Sequence, residues 1–128
     1  MNKKILVVED DRVLNKALSI KLTAEGYDVI NAYDGKEGIY SAIMHTPSLI
    51  ILDIVMPEMS GTQMLDELRE NSWGKTVPVI LLSNLEPSDS ILDKIVTDQP
   101  SYYLIKANTP LEELTGKIHE ILDASPIN

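Results

Sequence analysis

Four carboxylates, a hydroxyl and an ammonium stand where short apolar runs stop. ILVV (5–8) runs into Glu9, Asp10 and Asp11, and LIIL (49–52) runs into Asp53. VPVILLS (77–83) ends on Ser83, and SYYLIKA (101–107) carries Lys106 near its end. Carboxylates packed together repel one another unless a cation neutralises them or some take up protons. Oxygen donors with no histidine or cysteine beside them favour a hard ion, Mg²⁺ or else Mn²⁺ or Ca²⁺. A carboxylate is also a nucleophile toward phosphorus and gives an acyl phosphate. In that chemistry the metal neutralises phosphoryl oxygens, Lys106 pairs with another, and Ser83 donates a hydrogen bond.

These side chains meet only if the runs that carry them lie side by side. The apolar runs ILVV, LIILD and VPVILLS suit short strands covered on both faces. YDVINAY (27–33) alternates and is β-branched, which predicts another strand, and SYYLIKA (101–107) predicts a fifth. Between them, Val13, Leu14, Ala17, Leu18 and Leu22 recur at helical spacing, with Gly26 as a stop. DGKEGIYSAIMH predicts a second helix with Asp34 near its start, against the low propensity of Gly35 and Gly38. TQMLDELREN sets Met64, Leu65 and Leu68 on one side of a third. EPSDSILDKIVTD places Pro87 near the start of a fourth, striped by Ile91, Leu92, Ile95 and Val96. In TPLEELTGKIHEIL, Thr109, Pro110 and Glu112 read as a capping box ahead of Leu111, Leu114, Ile118, Ile121 and Leu122.

The order is (βα) five times. It predicts a three-layer α/β fold: a parallel five-stranded sheet, helices on both faces, right-handed crossovers. Ligands of such open sheets sit outside the carboxyl ends of the strands, where strand order reverses. That is where the acids, Ser83 and Lys106 fall, so Asp53 is read as the point at which a buried strand surfaces into a shared pocket.

The 128 residues suit one domain, taken as 1–124, with 125–128 as a tail or the start of a linker. The absence of cysteine excludes disulfides and thiolate metal sites. MNKKILVVEDD offers too short an apolar stretch for an export signal, and no run approaches the ~20 residues of a membrane span. A cytoplasmic location is expected. The net charge of −9, from 11 basic and 20 acidic residues, with no basic stripe, argues against nucleic-acid binding by this chain.

ILVVEDD (5–11), YDG (33–35), LIILDIVMPEMSG (49–61), VPVILLS (77–83) and YLIKA (103–107), in that order and spacing, resemble the receiver domain of response regulators, the chemotaxis-regulator-like family of two-component signalling. The resemblance runs from end to end. It implies a flavodoxin-like fold with strand order 2-1-3-4-5, acting as a signalling switch and not as an enzyme. It implies that Asp53 accepts a phosphoryl group from a sensor histidine kinase or phosphotransfer protein. Glu9 and Asp10 match the acidic pair that holds Mg²⁺, with Asp53 and the carbonyl of Val55 as further ligands. Ser83 matches the hydroxyl that turns toward the phosphoryl group, Lys106 the lysine that pairs with it, and Tyr103 the aromatic that reports the position of Ser83. A downstream protein or fused output domain would read the face over about 87–123, the domain being a monomer or a phosphorylation-dependent dimer.

The chain also departs from that pattern. Ala107 follows Lys106 where the family carries proline, and a trans bond is expected, since cis before a non-proline residue costs ~2.5–4 kcal/mol. TDQPSY, with Pro100, replaces the usual Gly-Ala before the fifth strand. Asn84 stands where a small residue is common, and Val55 stands where access of the hydrolytic water is set.

Simpler roles are expected elsewhere. Asp11 and Asp34 are read as helix or turn caps, Met56, Met59 and Met64 as packing, and Trp73 as a turn residue with no role assigned. His45 and His119 are read as surface residues that pair with no other candidate ligand. Three competing functions remain. A phosphatase using Asp53 lacks the acid/base, because Val55 stands at that position. A flavin module lacks a phosphate-binding loop, since EDDR follows the first strand. A receiver that binds partners without phosphorylation would not require the acids and Lys106.

Overall fold

The computed structural model describes residues 2–56, 58–83, 102–106 and 109–123. Within them the chain alternates strand and helix: β1 (Lys4–Val8), α1 (Arg12–Ala24), β2 (Asp28–Ala32), α2 (Gly35–His45), β3 (Leu49–Leu52), α3 (Gly61–Glu70), β4 (Val79–Ser83), β5 (Tyr102–Ile105) and α4 (Leu111–Leu122). All strands pair in parallel, in the order β2-β1-β3-β4-β5. The helix expected over 87–97, the Lys106–Ala107 peptide, Asn84, Pro100 and the 125–128 tail lie outside the described residues.

Side chains of a strand alternate between its two faces, and here each face builds its own core. Leu6, Val8, Ile50, Leu52, Val79 and Leu81 pack with Ala42 of α2 and with Met64, Leu65 and Leu68 of α3. Ile5, Val7, Leu49, Ile51, Ile80 and Leu82 pack with Leu18 and Leu22 of α1 and with Leu114, Ile118 and Leu122 of α4. The sheet is thus the middle of three layers, and the unbroken apolar runs are explained by cover on both sides.

Register brings the strand ends level. Val8 lies opposite Ala32 and Leu52, Leu52 opposite Leu81, and Ser83 opposite Ile105. The residues that follow β1, β3 and β5 therefore emerge at one rim. Gly61 makes part of this possible. A Cβ there would stand 2.1 Å from the Asp53 carbonyl, so the β3–α3 loop folds back onto Asp53 only with glycine. Gly35 and Gly38 do belong to a helix despite their propensity, and a Cβ at either would press on Met59 or Met64, which is why glycine suits both positions.

Three local expectations need correction. Val13 is 81% exposed, while Asn15 is fully buried and takes the stripe position with Leu18 and Leu22. With 3.6 residues per turn, Val13 lies nearly opposite Asn15. The capping box over Thr109 and Glu112 does not form. The extended backbone of Pro110 (ψ 155°) delays the helix to Leu111, so Thr109 stands one residue too early and no side chain caps α4. A capping box appears instead at Ser60 and Gln63, each side chain accepting from the other's backbone N–H. His119 is half-exposed as expected, but it does have partners, Glu25, Asp123 and Tyr27.

Candidate functional site

Glu9, Asp10, Asp11, Asp53, Val55, Ser83 and Lys106 line one cleft of about 280 Å³ at the carboxyl ends of the strands. Every candidate metal or phosphoryl ligand read from the sequence is among them. Tyr103 lies one strand over, half-buried against the core shared with α2 and α3. Two residues beyond Leu81 on β4, Ser83 has that same face, so Ser83 and Tyr103 share one side of the sheet.

Each acid is placed by backbone. The Glu9 amide donates to the Ala32 carbonyl at 3.1 Å, and the Asp53 amide donates to the Val8 carbonyl at 3.0 Å, which extends the ladders by one residue. Glu9 is only 3% exposed and Asp53 5%. Asp10 is exposed at the mouth. Asp11 caps α1, its Oδ1 accepting from the amides of Val13 and Leu14 at 3.0 and 3.2 Å. Asp34 caps α2 in the same way, accepting from the Glu37 amide. The Asp11 amide donates to Glu9 Oε2, and the Val55 amide donates to Asp53 Oδ1.

Lys106 follows β5 and reaches inward. Its Nζ lies 2.6 Å from Glu9 Oε1 and 3.3 Å from Asp53 Oδ2, with the lysine side chain 17% exposed. One ammonium is thus shared between two buried carboxylates. Burial pushes the Glu9 carboxyl up to about 7, the Asp53 charge adds to that, and the bonds from Lys106 and the Asp11 amide oppose it. Burial pulls on Lys106 in the other direction, but its bond to Glu9 and the charges of Asp53 and Glu9 leave it raised and firmly protonated.

One carboxylate oxygen from each of Glu9, Asp10 and Asp53 lies within 4.8 Å of the others. Three carboxyl oxygens converging beside a single ammonium form an all-oxygen donor set that fits a hard divalent cation. Val55 lines the same cleft and is 57% exposed.

Asn15, outside the cleft, touches its backbone, and the apolar spacing of the sequence does not mark it. Its side chain donates to the carbonyls of Glu9 and Ala32, both at 3.0 Å. An amide on an otherwise apolar helical stripe was the available clue.

The chain matches the family described as response regulator receiver domain over residues 5–119. The alkaline phosphatase synthesis transcriptional regulatory protein PhoP of Bacillus subtilis is 33% identical over 99% of this chain and 51% of its own length. The chain spans about half the length of the curated relatives it matches. Among solved structures, the chemotaxis protein CheY4 of Vibrio cholerae superposes with a TM-score of 0.86 at 27% identity, covering 95% of this chain and 100% of that one. The response regulator TrrA of Thermotoga maritima, in complex with Mg²⁺-BeF, gives a TM-score of 0.82 at 31% identity, covering 94% and 99%.

Proposed function

The chain belongs to the response regulator receiver domain family, and on that premise we propose that it is a phosphoacceptor switch, taking a phosphoryl group on Asp53 in a Mg²⁺-dependent reaction. The observation that carries this reading is the Lys106 ammonium held between Glu9 and Asp53 in the acid-lined cleft.

The chemistry follows from the groups present. An Asp53 carboxylate oxygen forms the new bond to phosphorus as the bond from phosphorus to the donor breaks, leaving an acyl phosphate. Glu9, Asp10 and Asp53, with the Val55 carbonyl, are the proposed metal ligands, and Mg²⁺ held there supplies charge for the phosphoryl oxygens. TrrA's complex with Mg²⁺-BeF supports that choice of ion. Lys106 is already within reach of Asp53, so it exchanges a carboxylate contact for a phosphoryl oxygen without crossing the cleft. Ser83 donates a hydrogen bond to another.

The switch is electrostatic in origin. Phosphorylation replaces the single Asp53 charge with a phosphoryl group that carries roughly 1.5 to 2 negative charges and three acceptors. Ser83 turns toward them, and Tyr103, on the same side of the sheet, moves into the space. The equilibrium shifts by the difference in interaction energy between the two states. The donor would be a sensor histidine kinase or phosphotransfer protein. The reader would be a downstream protein or output domain that meets β5, α4 and residues 87–97, the last outside the described residues. The receiver unit is taken as 1–124.

Incubation with a small phosphodonor and Mg²⁺ should add one acid-labile phosphoryl group, seen as a gain in intact mass. Chelating the metal or making Asp53→Ala should remove the gain. A wild-type protein that gains nothing with any donor contradicts the reading.

A further inference from the structure

We propose that Asn15 is a positioning residue for the metal site, acting through the peptide that joins Glu9 to Asp10. The proposal rests on the Mg²⁺-dependent reading of the cleft and extends it to a residue outside the cleft.

Asn15 stands on the buried stripe of α1, between Arg12 and Leu18, with no exposed surface. A buried amide is costly unless its hydrogen-bonding groups are met. Here they are all met, and by a specific set of groups. Nδ2 donates one hydrogen to the Glu9 carbonyl and the other to the Ala32 carbonyl. Oδ1 accepts from Asn31 Nδ2 on β2. Asn31 Nδ2 also donates to Ser19 Oγ, whose own hydrogen goes to the Asn15 carbonyl one helical turn back. The network closes on itself across α1, β1 and β2. Asn31 fixes which way the Asn15 amide faces, so that its two donors, not its oxygen, meet the two carbonyls.

The Glu9 carbonyl belongs to the peptide whose nitrogen is that of Asp10. Asn15 holds this peptide by its oxygen, and the peptide before it is held by the Glu9 amide, which donates to the Ala32 carbonyl, so the backbone leading into Asp10 is fixed at two successive peptides. This sets the direction in which the Asp10 side chain leaves the backbone. Glu9 needs no such help for its own carboxylate, which is gripped by Lys106 and the Asp11 amide. Asp10 is exposed, and the Asn15 bond to the peptide that leads into it keeps its carboxylate near those of Glu9 and Asp53. Groups that orient metal ligands in this way are worth as much as some ligands.

The test is a Mg²⁺ titration of the whole chain, followed by the backbone amide shifts of Asp10 and Asp11, with thermal unfolding measured separately without metal. Asn15→Leu keeps the volume and removes the donors. Asn31→Ala leaves Asn15 in place and removes the partner that orients it. Mg²⁺ binding should weaken about tenfold or more in Asn15→Leu, and by a smaller factor in Asn31→Ala. Loss of stability without loss of affinity would mark a core amide only: a folded Asn15→Leu whose Mg²⁺ affinity stays within about twofold of wild type overturns the proposal. Should Asn15→Leu fail to fold, Asn31→Ala decides by the same criterion. Failure of the wild type to bind Mg²⁺, or an Asp10→Ala variant that binds it equally well, would instead overturn the reading of the cleft, and this proposal with it.

Discussion

Two clusters of mixed charge sit at opposite ends of the same sheet. At the carboxyl ends of the strands, Lys106 is shared between Glu9 and Asp53, with Asp10 nearby. At the amino ends, His119 of α4 bridges Glu25, after α1, and Asp123, at 2.8 and 2.6 Å. Tyr27, leading into β2, places its hydroxyl near His119 Nδ1 and Asp123, and Lys3 donates to the Leu122 carbonyl. The first cluster is buried and short of positive charge. The second is open to water, its histidine and carboxylate side chains 33–51% exposed. Buried charges interact strongly and are screened little, whereas exposed ones are weakened by solvent and salt. Acids and a basic partner therefore give the proposed phosphoryl site at one rim and a fastening between α1, β2 and α4 at the other.

Removing one charge from each cluster should separate them most clearly. Lys106→Met leaves Glu9 and Asp53 buried without their ammonium and takes away the group offered to a phosphoryl oxygen. Phosphoryl transfer to the protein should fall by about 10²–10³-fold, the usual scale for loss of one stabilising donor. Lys3→Met at the opposite rim should leave the transfer rate unchanged. Equal loss of rate in both, in stopped-flow or quench measurements, would mean the rims are not functionally distinct.

The amino-end cluster should show itself in the pH dependence of stability, as a smaller effect. The bonds from Glu25 and then Asp123 raise His119 above its usual 6.5. Its contribution is therefore complete below that value and fades as pH rises through the raised one. Glu25 and Asp123 are lowered, chiefly by their bonds to His119, so their contributions are lost as pH falls through the lowered values. Burial, with help from Asp123, pushes Tyr27 up to about 12 and keeps it protonated throughout. The wild-type melting temperature should decline slightly as pH rises through and above neutrality, and His119→Gln should flatten that decline. An unchanged slope in His119→Gln would show that the bridge contributes nothing.

The acid cleft was far more legible in the sequence than this fastening. Asp53, Ser83 and Lys106 are each announced by the apolar strand that ends on them, and Glu9 and Asp10 by the run before them. Parallel strands then bring such ends together whatever the details. Local cues failed where long-range packing decides. His119 and Glu25 lie 94 residues apart in the chain, so no spacing rule joins them. Thr109 carried the right cap chemistry, but the extended backbone at Pro110 moved the helix start past it. Apolar spacing does not mark Asn15, because a helix's apolar neighbours need not define its inner face: apolar Val13 is exposed and polar Asn15 is buried.

Borohydride reduction tests the central claim most directly. It converts an aspartyl phosphate to homoserine, which peptide mass spectrometry locates by residue. After treatment with a phosphodonor and Mg²⁺, the conversion should appear at residue 53 and nowhere else. Conversion at residue 10 or 11, or none in a protein that carries the phosphoryl mass, would contradict the account.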